Sequence, residues 1–154
     1  MFIMLATGGD PLDVANWRPI TILRAMNKLT SRMIYNRVSE QLCNVQPPDQ
    51  CAFRPHCSIE DALFVVEMML SRTHEFGLDM WAASLDMRKA FDRVEREPML
   101  EAIAQQGVPE EYVELIRAFY IGERGSVNGG PMFPMTRGVR QGDVISPLLF
   151  IAVL

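Results

Sequence analysis

Ser84-Leu85-Asp86-Met87-Arg88-Lys89-Ala90-Phe91-Asp92-Arg93-Val94 is the stretch on which the reading of the chain turns. It continues Met80-Trp81-Ala82-Ala83-Ser84-Leu85, an apolar and small-residue run with no charge between Asp79 and Asp86. That pattern predicts a β-strand. A carboxylate closing such a strand sits where a backbone turn presents it to a cleft, and two-metal chemistry needs acidic ligands fixed on a rigid element. Asp86 is therefore a candidate metal ligand. The same residues also read as a strand end followed by an Asp turn, and on spacing alone both readings stand.

Upstream, Ser58 with Asp61 three residues on forms a capping-box start. The helix beyond it is expected to bury Ile59, Ala62, Leu63, Val66, Met69 and Leu70 along one stripe and to end before Gly77. Before it, Val45-Gln46-Pro47-Pro48-Asp49 breaks the chain, and Arg54-Pro55 repeats a device seen at Arg18-Pro19. A residue before proline is held extended, and an arginine on an extended arm suits phosphate recognition, although a surface loop arginine is the simpler reading. Leu23, Met26, Leu29, Met33, Val38 and Leu42 recur at mostly three- and four-residue steps, which predicts an amphipathic helix over Ile22 to Leu42. Its four cations, Arg24, Lys28, Arg32 and Arg37, read as a solvated face before they read as a nucleic-acid contact.

Downstream, Pro98 and Gly107 bracket a helix over Met99 to Gln106, and Pro109-Glu110-Glu111 starts another with acids in its first turn. Tyr112, Leu115, Ile116 and Phe119 are its expected buried face. Asn128-Gly129-Gly130 reads as a hairpin turn between Arg124–Val127 and Met132–Thr136. In Thr136-Arg137-Gly138-Val139-Arg140-Gln141-Gly142-Asp143 the two glycines permit positive φ, and Arg137, Arg140 and Gln141 offer donors toward a base or phosphate. Ser146-Pro147 reads as an N-cap with proline at the first helical position. The helix that follows is expected to leave Leu148, Leu149, Phe150, Ile151, Val153 and Leu154 exposed.

The 154 residues amount to one domain, and 49% apolar against 22% charged residues is an ordinary globular balance. Net charge is −4; residues 1–77 carry seven basic and eight acidic side chains, residues 78–154 eight and eleven. That balance argues against a tight stand-alone nucleic-acid binder. Cys43, Cys51 and Cys57 are odd in number with no C-x-x-C spacing, which points to a reducing compartment and to idle thiols rather than a zinc site with His56. The N-terminal hexapeptide lacks the basic leader of a signal peptide, and no apolar run reaches membrane-span length. The expectation is an intracellular protein, nuclear or cytoplasmic, with no membrane partner.

Four blocks in order resemble reverse transcriptases, most closely those of non-LTR retrotransposons. They are Asn16-Trp17-Arg18-Pro19-Ile20, then Gln50 through Ser58 to Asp61-Ala62, then Leu85-Asp86 through Ala90-Phe91-Asp92, then Arg137 to Gly142 with Ser146-Pro147-Leu148. The resemblance implies an α/β (α+β) fold, the fingers and partial palm of a right-hand polymerase with helices on a small antiparallel sheet. Fingers would span about residues 1–79 and an incomplete palm about 80–154.

It further implies Asp86 as the first catalytic aspartate, holding two magnesium ions (or manganese) with the Met87 carbonyl. Arg18 would grip the incoming triphosphate, Phe91 would be the steric gate against a ribose 2′-hydroxyl, and Gln141 would lie by the nucleotide on the turn that Gly142 allows. RNA template, DNA primer and deoxynucleoside triphosphates would be the partners of the complete enzyme. The chain departs from the family in lacking a lysine before Asn16. It also stops before the aromatic-x-Asp-Asp hairpin expected after the Ser146 helix, so this length of chain is expected to be inactive by itself. A non-catalytic remnant that binds nucleic acid or protein through the fingers is the alternative. A metal-dependent hydrolase using Asp86 and Asp92 is the weaker third reading, since Asp92 reads better as a local cap or an ion-pair partner of Arg88 or Arg93.

Overall fold

The computed structural model describes the backbone of residues 1–154 and every side chain except that of Ala15. Strands β1 (Phe2–Ala6) and β2 (Trp17–Thr21) form an antiparallel ribbon with Phe2 opposite Thr21 and Ala6 opposite Trp17. The turn-rich link between them folds on its own polar groups. Asp10 Oδ1 accepts from the Leu12 amide at 2.9 Å, Asn16 Nδ2 donates to the Asp10 carbonyl at 3.0 Å, and Trp17 Nε1 donates to the Pro11 carbonyl at 3.0 Å. Pro19 falls within β2, and with only one neighbouring strand its missing N–H costs the ladder little.

Helix α1 (Ala25–Val45) buries Ser31, Ile34, Val38 and Leu42, steps of three and four. Met26, Leu29 and Met33, expected on the same stripe, are exposed. The five-residue step from Met33 to Val38 explains the error, because it turns about 140° around the helix axis. Helix α2 (Ile59–Glu75) has its capping box: Ser58 Oγ accepts from the Asp61 amide at 3.3 Å and Asp61 Oδ2 from the Ser58 amide at 2.8 Å. Its expected buried stripe is not buried. Ile59, Leu63, Val66, Met69 and Leu70 are all exposed, and Ala62 is half-buried.

The expected strand over Met80–Leu85 is absent too. Residues 78–88 are irregular, with Trp81 94% and Leu85 95% exposed. A strand exists by pairing, and among the described residues no segment lies beside this one to form a ladder.

The core lies in the C-terminal half. Helix α3 (Ala90–Arg93) is a single turn, followed by α4 (Arg96–Gln105), α5 (Glu110–Tyr120) and α6 (Ser146–Ile151). Met99, Leu100 and Ile103 of α4, Val113, Ile116 and Tyr120 of α5, and Ile34, Val38 and Leu42 of α1 belong to one core. Of the expected α5 face, Ile116 is buried, Tyr112 and Phe119 are half-buried, and Leu115 is exposed.

The last helix reverses its expectation: Leu148, Leu149 and Ile151 are buried in this core, Phe150 is half-buried, and only Val153 and Leu154 stay exposed. Gln106 Nε2 donates to the Ala152 carbonyl at 2.7 Å and satisfies the helix end. Ile145, not Ser146, takes the N-cap position, so proline falls one residue further in. Burial pushes the Cys43 thiol up against the opposing field of Arg54, which keeps it protonated and unreactive.

Strands β3 (Arg124–Gly125) and β4 (Phe133–Pro134) form the expected hairpin, with Asn128 and Gly129 both at positive φ in its turn. Here β1 docks: the Phe2 amide donates to the Ser126 carbonyl at 2.8 Å and the Asn128 amide to the Phe2 carbonyl at 3.3 Å. A Cβ on Gly125 would come within 2.2 Å of the Phe2 ring, so any side chain there would have to displace that ring.

The contrast between α2 and α6 is testable in the 154-residue chain. Leu149→Ala should cost about 2–5 kcal/mol, as cavity-forming core truncations do. Leu70→Ala should stay within about 0.5 kcal/mol, as exposed substitutions do. Urea denaturation of both variants decides it, and equal costs would mean that α2 packs in solution.

Candidate functional site

A cleft of ≈570 Å³ opens between β2, the turn leading into α3 and the loop before α6. Arg18, Asp86, Met87, Phe91, Gln141 and Gly142, the six residues singled out in the sequence, all line it. They come from three separate parts of the chain, and three sets of backbone bonds bring them together. The Thr21 amide at the end of β2 donates to the Gln141 carbonyl at 2.8 Å. The Val139 amide donates to the Phe91 carbonyl at 2.9 Å, and the Gly138 amide to the Val94 carbonyl at 2.7 Å. The loop is thereby tied to the ribbon on one side and to α3 on the other.

The glycines make that close approach feasible. Gly138 has φ +84°, and a Cβ there would sit 3.0 Å from the Asp92 carbonyl oxygen; Gly142 has φ +102°, with the Thr21 carbonyl 3.2 Å from its would-be Cβ. Both conformations and both contacts disfavour a side chain.

Each side chain then has a distinct state. Asp86 and Arg18 are exposed and, among the described residues, make no hydrogen bond or ion pair with the protein. Phe91 is half-buried: its ring stacks on Phe150 at 4.6 Å and meets Phe53 edge-on at 6.2 Å, which holds it rigid. Gln141 Nε2 donates to Asp92 Oδ1 at 3.0 Å. Asp92, expected to serve Arg88 or Arg93 locally, bonds instead across the cleft wall.

Lys89, in the left-handed region at φ 53°, turns the chain from Asp86 into α3 and lines the cleft together with Arg88. Sequence reading took Arg88 only as an ion-pair partner for Asp92 and passed over Lys89. The signal was present in the charged pair after Asp86, but its placement depends on the αL turn.

Arg140 is not available to a ligand. It is buried, with its Nε donating to Glu123 Oε1 at 2.5 Å, another nitrogen donating to the Phe119 carbonyl, and Nη1 3.6 Å from Asp143 Oδ2. Arg96 completes the group: Nη2 reaches Glu123 Oε2 at 2.6 Å, Nη1 donates to the Tyr120 and Met135 carbonyls at 2.9 and 2.7 Å, and Nε to the Gly138 carbonyl at 3.2 Å. Both guanidinium groups lie 4.8 Å from the centre of the Tyr120 ring, whose phenol burial pushes upward. Arg137 remains exposed.

Among the described residues no three His, Cys, Asp or Glu side chains gather into a metal cluster. The donors at the cleft are oxygens, with the Asp86 carboxylate free. One free carboxylate suits magnesium, which keeps several waters and takes phosphate oxygens as ligands. The donor set is thus compatible with a hard divalent ion. Among the described residues, no helix is long and apolar enough to cross a membrane.

Residues 9–154 match the family described as "Reverse transcriptase (RNA-dependent DNA polymerase)". The chain is 29% identical over 151 residues to the "Transposon TX1 uncharacterized 149 kDa protein" of Xenopus laevis, covering 96% of this chain and 12% of that protein. It is 30% identical over 156 residues to the "Retrovirus-related Pol polyprotein from type-1 retrotransposable element R2" of Popillia japonica, covering 98% and 22%. It is 31% identical over 159 residues to the "RNA-directed DNA polymerase from mobile element jockey" of Drosophila funebris, covering 97% and 17%. The chain therefore spans between 12% and 22% of the length of these relatives.

The buried ion group predicts its own weak point. Glu123→Ala leaves the Arg96 and Arg140 cations buried without their shared carboxylate, and should cost about 3–5 kcal/mol. Chemical denaturation reads the loss. A cost below about 1 kcal/mol, typical of exposed pairs, would show that the group is solvated in solution.

Proposed function

The chain belongs to the reverse transcriptase (RNA-dependent DNA polymerase) family, and we propose that its cleft is the nucleotide-binding part of an RNA-directed DNA polymerase site. One observation carries this reading: Arg18, Asp86, Met87, Phe91, Gln141 and Gly142, distant in sequence, line one cleft. Reverse transcriptases use divalent metal ions. Here the Asp86 carboxylate, helped by the Met87 carbonyl, would hold magnesium, or manganese in its place. Bound there, the ion would neutralise charge on the triphosphate and on the oxygens exchanging at phosphorus.

The chain's own residues bind and orient. The Arg18 fork takes two phosphate oxygens at once, and it is free to do so because no carboxylate among the described residues holds it. Arg88 and Lys89 add positive charge where the segment before Asn16 has no lysine. Phe91, stiffened by Phe150, fills the space of a ribose 2′-hydroxyl and so favours deoxynucleotides. Gln141 contacts the nucleotide from the loop that Gly142 permits.

Residues 1–79 serve as fingers over the triphosphate and residues 80–154 as palm. Template RNA, primer DNA and deoxynucleoside triphosphates are the partners of the complete protein, which works in the nucleus or cytoplasm. Three free cysteines support a reducing compartment.

Two substitutions in the complete polymerase test the reading. Asp86→Asn should lower magnesium-dependent primer extension on an RNA template by about a hundredfold or more, the scale of losing a group that stabilises charge in the transition state. Circular dichroism should be unchanged, since Asp86 is exposed and unpaired. Near-normal synthesis would remove Asp86 from the role.

Phe91→Val should raise ribonucleotide incorporation relative to deoxynucleotide. It should also cost roughly 1 kcal/mol or more of stability through the lost Phe150 stack. A melting shift with no change in the incorporation ratio would leave the ring as packing only.

A further inference from the structure

The Asp92 carboxylate has three basic side chains close by in sequence, Arg88, Lys89 and Arg93, and pairs with none of them. It accepts instead from the neutral amide of Gln141, 49 residues away, at 3.0 Å. An ionised carboxylate only accepts, so it can face only the nitrogen end of a carboxamide. That removes the freedom a glutamine ordinarily has to flip. Among the described residues the other end, Gln141 Oε1, has no protein partner.

The geometry points to Asp92 as a positioning residue that locks the Gln141 carboxamide. The cleft is thereby made to read its nucleotide at this point with a hydrogen-bond acceptor, Oε1, that recognises a donor on the ligand. This deepens the polymerase reading above and rests on it. Both residues line the cleft, and the supports of each are fixed independently: the Asp92 amide donates to the Lys89 carbonyl at 3.0 Å, and the Gln141 carbonyl is held by Thr21. With both backbones anchored, the side-chain bond is left to set the amide's orientation rather than to hold the fold together.

Two variants separate orientation from folding. Asp92→Leu removes the acceptor. Asp92→Asn keeps the shape and one acceptor oxygen but adds a donor, so that both orientations of Gln141 become possible. In the 154-residue chain, the side-chain amide proton resonances of Gln141, identified by their loss in Gln141→Ala, should shift in Asp92→Leu and shift less in Asp92→Asn.

In the complete polymerase, Asp92→Leu should raise the KM for the nucleotide about tenfold, the scale of one charge-assisted hydrogen bond. The kcat should change far less. Adding Gln141→Ala to Asp92→Leu should then cost almost nothing more, and Asp92→Asn should recover part of the loss.

Unmoved Gln141 amide resonances in Asp92→Leu would overturn the lock. Losses that simply add in the double variant, or a fall in kcat at constant KM, would overturn the acceptor role. A shift of the amide in a protein that proves to make no DNA at all would instead retire the polymerase reading and with it the nucleotide as the ligand, leaving the lock itself established.

Discussion

Glu123 is the residue on which the placement of the site depends. Its side chain is 11% exposed, and a carboxylate that dry is tolerated only when fully paired. Arg96 and Arg140 supply the pairing from two directions. Arg96 then uses its remaining donors on three carbonyls from separate parts of the chain: Tyr120 at the end of α5, Met135 just past β4, and Gly138 in the cleft loop. Helix ends leave such carbonyls open, and a guanidinium is the side chain that can collect several at once. The group therefore fixes residues 138–143 relative to α4 and α5. Gln141 and Gly142 reach the cleft because Arg140, between Gly138 and Gly142, is anchored from behind.

Energetically the molecule has two parts. The C-terminal helices share a closed core with the second half of α1. Helix α2 and residues 78–88 carry apolar side chains that nothing among the described residues covers. What holds α2 is local: its capping box, the exposed Arg72–Glu75 pair, and backbone bonds that close its C-terminus. Terms of that kind contribute about 1 kcal/mol or less each, and a helix of this length in water is marginal on them alone. The apolar content of the sequence thus overstates the core, because periodicity records which residues could be buried and not whether a partner is present.

That distinction explains what could be read in advance. The capping box at Ser58, the Asn128-Gly129 turn, the positive-φ glycines and the helices bracketed by Pro98, Gly107 and Pro109 depend on residues within a few positions of one another, and they were legible. The strand over Met80–Leu85 needs a neighbour from elsewhere, and its apolar, uncharged run says nothing of one. The stripe assigned to α1 mixed two faces because a five-residue step was counted with the threes and fours. The burial of Leu148, Leu149 and Ile151 depends on α1 and α4. Arg140 and Asp92 were misread for the same reason: their partners lie 17 and 49 residues away. The gathering of the six cleft residues was legible only through the family's motif order, since no local rule relates Arg18 to Asp86 or Gln141.

A net charge of −4 argues against nucleic-acid affinity only if the charge is spread evenly, and the structure divides it sharply. Arg96 and Arg140 are consumed internally, while Arg18, Arg88 and Lys89 line the cleft. The free Asp86 carboxylate lies among them and forms no ion pair within 4 Å with any of the three. Opposite charges therefore line one cleft without pairing. A plain anion would be served by the cations alone and repelled by Asp86; a bare metal ion would be served by Asp86 and repelled by the cations. A ligand that carries charge of both signs is complementary to the two at once.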